Sequence, residues 1–149
     1  MGRITTHFVV ALALFLGVAR ISVAAPQAHP AYLHALSDLR DARAHLQRPN
    51  GGALEHQEQD AIAEIDKAIG EIKAASIDDG KNIDDHVRVD EHLPWGGRLH
   101  KAVELLDKAF SDVNQAEEDP AARGLKHRAL EHIQLARKHV REAIAIVHS

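Results

Sequence analysis

The stretch IDDGKNIDDHVRVDEHLPW, residues 77–95, decides how this chain is read. It is acidic, carries two histidines, and contains a glycine and a proline, so it interrupts the helical spacing found on both sides of it. Before it, apolar residues recur at three- and four-residue steps through about residues 30–76; after it they do so again through about residues 96–148. It is therefore a connector between two helical units. Links within helical bundles usually run about 2 to 8 residues, and structureless links well beyond a dozen are commonly functional or disordered. Its apolar residues Ile77, Ile83, Val87, Val89, Leu93 and Trp95 argue for a pinned path over one end of the helices, because a disordered linker has no use for them.

Outward from the connector, the first unit opens at Pro30, whose missing N–H costs nothing in a first helical turn. Tyr32, Leu36, Leu39 and Leu46, with Leu33 beside them, form one apolar stripe. The run QRPNGG at 47–52 is turn chemistry, and a second helix over 53–76 places Leu54, Ile62, Ile65, Ile69 and Ile72 on one face. The second unit repeats the plan. Leu99, Val103, Leu106, Phe110 and Val113 mark a third helix, EEDP at 117–120 ends it, and Leu130, Ile133, Val140, Ile144 and Val147, flanked by Ala129, Ala136 and Ala143, mark a fourth. The expected fold is all-α: an antiparallel, up-down-up-down four-helix bundle in one domain, made of two tandem hairpins and a long acidic connector between helices two and three.

The two units also match in sequence. At an offset of 71, Leu54 corresponds to Leu125, His56 to His127, Ile62 to Ile133, Lys67 to Lys138, Ile69 to Val140 and Glu71 to Glu142. Leu33-His34 corresponds to Leu99-His100, and after a one-residue slip Leu36, Leu39, Ala42 and Leu46 correspond to Val103, Leu106, Ala109 and Val113. Duplication of one hairpin accounts for this pattern.

The start of the chain reads as an export signal: Arg3 is the basic start, FVVALALFLGV at 8–18 the apolar run, and Ser22-Val23-Ala24 the small residues of a cleavage site. The apolar run is too short to span a bilayer. Residues 1–24 are thus expected to be removed, leaving 25–149 as the domain, in the bacterial periplasm or outside the cell. Loss of Arg3 and Arg20 takes the formal charge from −4 to −6. That acidity excludes nucleic acid and anionic membrane as expected partners. There is no cysteine, hence no disulfide, no thiol nucleophile and no lipid attachment after the signal.

Metal chemistry has one place to go. The connector holds a tandem of acid-acid-imidazole triplets, Asp84-Asp85-His86 and Asp90-Glu91-His92, and carboxylate with imidazole suits Zn²⁺, Ni²⁺ or Cu²⁺. Asp85, His86, Glu91 and His92 are the candidate ligands; His29, His34, His100, His139 and His148 are expected near the same end of the bundle. On the helices, four histidines stand four residues before a carboxylate: His34 with Asp38, His56 with Asp60, His100 with Glu104 and His127 with Glu131. That spacing stacks each pair on one helical face. All four fall opposite the apolar stripe, so a buried dinuclear site fails on geometry. No two histidines stand three or four residues apart, which excludes a chelate on one helix.

Arg43 and Glu58 fall on the core sides of helices one and two at similar distances from the turn, so they are expected to pair. Lys126 and Arg137 are expected to reach out of the stripe of helix four. A second stripe there, Leu135 and Ile146 beside His132 and His139, would suit self-association or a protein partner. No glycine-rich phosphate loop, covalent-haem motif or nucleophile with a base is present, so the reading is non-catalytic, with no cofactor required.

Three segments, HPAYLHALSDLRDAR at 29–43, AASIDDGKNIDDH at 74–86 and GRLHKAVELLDKA at 97–109, resemble a family of small exported bacterial helical proteins that has no known activity. The resemblance implies a helical fold over nearly all the mature chain and supplies no site residue. The expected function is an exported, non-catalytic bundle with a binding or structural role; the alternative is a periplasmic transition-metal binder that uses the connector.

Overall fold

The computed structural model describes residues 30–47, 54–74, 80–86, 88–90, 92–116 and 123–149. The expected signal peptide, His29, positions 48–53 and 117–122 of the two turns, and Ile77, Val87 and Glu91 of the connector lie outside the described residues. Four helices are found among them: α1 (Pro30–Leu46), α2 (Leu54–Ala74), α3 (Trp95–Gln115) and α4 (Arg123–Val147). Pro30 is the first residue of α1, and α3 follows Pro94, whose extended backbone (φ −61°, ψ 157°) is what a proline in a cap position imposes. The last turns are closed by basic side chains reaching in from other helices. Arg98 donates to the His45 carbonyl at 2.9 Å, and Lys126 donates to the carbonyls of Asn114 (3.0 Å) and Ala116 (2.8 Å).

The stripes read from the sequence form the core. Tyr32, Leu36, Leu39, Leu46, Ile65, Ile69, Ile72, Leu99, Leu106, Val113, Ile133 and Val140 are buried, and Ile62, Val103, Phe110, Leu130, Ile144 and Val147 pack against them. Between the large residues lies a series of fully buried alanines at seven-residue steps: Ala35 and Ala42, Ala61 and Ala68, Ala102 and Ala109, then Ala129, Ala136 and Ala143. Small side chains at that period let neighbouring helices approach closely.

The all-α four-helix bundle stands, but its connectivity differs from the expected up-down-up-down order. That order would make α1 and α3 diagonal and parallel; instead α1 packs on α3 and α2 on α4, while α3 also packs on α4 and α1 more lightly on α2. Directions follow from the cross-links. Arg98 near the start of α3 meets His45 at the end of α1, Arg128 near the start of α4 meets Glu71 near the end of α2, and Lys126 of α4 meets Ala116 just past α3. Every neighbouring pair is antiparallel, and the diagonal helices α2 and α3 are parallel. The order is up, down, down, up.

The matched halves give the reason. The equivalent helices α1 and α3 pair antiparallel, as do α2 and α4, which is how two copies of one hairpin sit about a two-fold axis perpendicular to the bundle. In that arrangement α2 ends at one end of the molecule and α3 begins at the other. The connector must cross the full length between them, as in bundles with a long crossover.

Candidate functional site

Three points fix the path of the connector. At the end of α2, Lys73 donates to the Lys81 carbonyl at 2.7 Å, and Arg40 of α1 reaches the same carbonyl at 3.5 Å. Further along, Arg43 of α1 donates to Asp84 at 2.7 Å and to Asp66 of α2 at 2.8 Å, so one guanidinium ties both helices to the connector. At the far end, the Trp95 indole donates to Glu58 near the start of α2 at 3.0 Å. The connector therefore runs along the groove between α1 and α2, which explains the lighter contact of those two helices. It does not cap one end, as its apolar residues had suggested, although Ile83 and Trp95 do pack against the core.

This path overturns the expected Arg43 to Glu58 pair. Both side chains do turn inward, Glu58 at 3% exposed and the Arg43 side chain at 14%, but the interposed connector gives Arg43 the two aspartates and Glu58 the indole. Arg40, 1% exposed between Leu36 and the connector, and Arg98 are buried charges that the spacing had not singled out. The signal for Arg40 was present: it stands four residues after Leu36 and beside Leu39, in the middle of the stripe.

One acid of each triplet serves a turn, while Asp84 is held by Arg43. Gly80 has φ +70°, a left-handed conformation that suits glycine, where the connector turns back along the bundle. Asp85 accepts from the Asn82 N–H at 2.8 Å, and Asp90 accepts from the His92 N–H at 2.8 Å. Side-chain carboxylates that fold onto nearby backbone in this way hold turns. His86 and His92 are both exposed, but they open on different grooves: Asp85 and His86 with Ser37 and Lys81, and His92 with Arg88, Val89 and Asp90. The fourth expected ligand, Glu91, lies outside the described residues. Among the described residues no group of three or more histidine or carboxylate side chains converges on one point.

The expected gathering of histidines at one end does not occur among the described residues, which exclude His29. His34, in the first turns of α1, lies with Lys108, Ser111 and Asp112 of the far half of α3, whereas His100 lies beside His148 at the opposite end. The histidines of the four helical His–carboxylate pairs are exposed as expected, and so are Glu104 and Glu131, whereas Asp38 and Asp60 are half-buried. His127 reaches Glu131 at 3.2 Å and His56 reaches Asp60 at 3.6 Å, while Glu104 is taken by Lys101 and Lys108 rather than by His100.

Two adjoining surface depressions draw polar groups from three segments. His34, Ser37 and Asp38 of α1 face Lys108, Ser111 and Asp112 of α3 across a depression of about 430 Å³, and Ser37 also borders the depression lined by Lys81, Asp85 and His86. Burial raises the pKa of Asp38 above the usual aspartate value; Lys108 opposes this, and Asp112 and Asp41 add to it. On the other side of the bundle, Glu64 of α2 meets His132 of α4 at 2.6 Å and Lys67 at 2.6 Å. Burial works against its charged form, but hydrogen bonds from Lys67 and His132 together hold its pKa below the usual glutamate value. Lys126 and Arg137 extend from α4 as expected, Arg137 to Asp107 at 2.6 Å with its guanidinium 5.3 Å from the Phe110 ring centre. Leu135 and Ile146 are exposed, at 42% and 43%.

No helix among the described residues is long and apolar enough to cross a membrane. No protein-family model matches the sequence, and no curated protein or solved structure is detectably similar to it.

Proposed function

We propose that this is an exported helical-bundle protein with a non-catalytic binding or structural role, and that any recognition uses its outer surface. The observation that carries this reading is the filling of the interior. Leucine, isoleucine, valine and close-packed alanine occupy the core, and the inward charges Arg40, Arg43, Glu58 and Arg98 are spent on the connector and the helix ends. The groove over α1 is the favoured recognition surface, because side chains of α1, α3 and the connector meet there around one residue, Ser37. Export rests on residues 1–24 and is checked by N-terminal sequencing of material from outside the cytoplasm, which should begin at Ala25.

The test is an amide-resolved NMR titration with putrescine, glutamate and inorganic phosphate in turn. Shifts confined to residues around His34, Ser37, Asp38, Ser111 and Asp112 support the groove as the binding surface; silence to all three at millimolar concentration contradicts it. A companion experiment addresses the metal alternative. Melting is followed after chelation and then with Zn²⁺, Ni²⁺, Cu²⁺ or Ca²⁺, on the parent and on a His86→Ala, His92→Ala variant. A rise of many degrees that disappears in the variant would replace this reading with a metal-binding connector.

A further inference from the structure

We propose that His100 and His148 form a two-imidazole site for a borderline divalent metal ion, Cu²⁺, Ni²⁺ or Zn²⁺, on the seam between α3 and α4. Their ring centres are 6.1 Å apart and the ring planes are inclined at 43°. An ion bonded to two imidazole nitrogens at about 2 Å holds the ring centres ~5–6 Å apart, so a small rotation of exposed side chains closes the site. The inclination is no obstacle, since two imidazoles bound to one ion need not be coplanar or parallel.

The juxtaposition comes from helix packing. One heptad further along the same seam, Asp107 of α3 lies 3.6 Å from Arg141 of α4. His100 precedes Asp107 by seven residues and His148 follows Arg141 by seven, so the antiparallel register that brings the ion pair together also brings the imidazoles together. The site lies at the end of the bundle where α3 begins and α4 ends. Both histidines are exposed, so a metal can reach them without opening the fold. Glu104, one turn along α3, is hydrogen-bonded by Lys101 and Lys108, so water completes the coordination shell. A two-imidazole set with water favours Cu²⁺ over Ni²⁺ and Zn²⁺. The site uses no connector residue and is independent of the binding reading above.

The experiment is calorimetric titration of the untagged chain with Cu²⁺, accompanied by the electron paramagnetic resonance spectrum of the loaded protein. The parent, His100→Ala, His148→Ala and the His86→Ala, His92→Ala double variant are compared. One equivalent of Cu²⁺ is expected in the parent, with two imidazole nitrogens in the spectrum. Either single variant should weaken binding by at least about tenfold and leave one imidazole; the connector variant should match the parent. Absence of binding, binding retained in both single variants, or loss only in the connector variant would each overturn the proposal. Melting in chelator controls for folding, and because both histidines are exposed it should be the same for all four proteins.

Discussion

The Trp95 indole donates a hydrogen bond to Glu58 at 3.0 Å, joining the first residue of α3 to a buried carboxylate one turn into α2. The two helices are diagonal in the bundle, so this contact is made where the connector completes its crossing. It places the starts of α2 and α3 at one end, and with it the whole order of helix directions.

Trp95→Phe keeps the ring packing and removes the donor. Glu58 is 3% exposed, and taking a donor from a buried carboxylate costs about 1–3 kcal/mol. Urea unfolding should show that loss, with a smaller one for Glu58→Gln, whose amide oxygen can still accept. Equal stability of Trp95→Phe and the parent would make the contact incidental.

Arg43→Met should free the connector more than it destabilises the bundle. Its partners Asp66 and Asp84 are 36% and 72% exposed, so solvent screening limits the total to roughly 1 kcal/mol. Hydrogen exchange should accelerate at residues 81–85 while the helix centres keep their protection. Uniform acceleration would mean that the guanidinium holds the helices together and not the connector.

Two carboxylates set opposite pH dependences. The folded-state pKa of Glu64 is lowered, so its contribution is full above the ordinary glutamate range and is lost as pH falls through the folded value. Glu64→Gln should therefore lower the melting temperature at neutral pH and flatten the acid limb. The folded-state pKa of Asp38 is raised, so its contribution is present below the ordinary aspartate range and is lost as pH rises through the folded value. Asp38→Asn should melt higher than the parent at neutral pH, and the gap should close in acid. Melting curves across pH check both signs.

Ala136 has no exposed surface and belongs to the alanine series of α4. Ala136→Leu would push α4 off its neighbours, at a cost of about 1–3 kcal/mol. Lys138→Leu, on the exposed side of the same helix, should change stability by less than half a kcal/mol or so, and unfolding of the two variants separates packing from composition.

The helices were legible because each has a sustained apolar stripe: Leu36 and Leu39, Ile65 and Ile69, Leu99 and Leu106, and Ile133 and Val140 all lie in the core. Connectivity was not. A stripe states which face of a helix is inward but not which way its neighbour runs, and both helix orders bury the same residues. The length of the connector was the available clue, since crossing the bundle beside α2, from Lys73 to Glu58, covers fifteen residues of helix, or ~22 Å. Mistaking that crossing for an end cap also misplaced the histidines, which set His34 with His100 when the antiparallel α1 and α3 hold them apart. The acids of the triplets looked like ligands because sequence does not distinguish a carboxylate facing solvent from one that accepts from a neighbouring backbone N–H, as Asp85 and Asp90 do.

The crossover is tested most directly by distances between spin labels, which the absence of cysteine makes simple to place. Cysteines are introduced at exposed positions 34 and 111 in one variant and 34 and 100 in another, and pulsed dipolar spectra are recorded. The up-down-down-up order predicts a short distance for 34 and 111, which share the α1–α3 groove, and a separation for 34 and 100 that is longer by about 15 Å of helix axis. A short 34 to 100 distance with a long 34 to 111 distance would restore the sequential order and contradict the crossing.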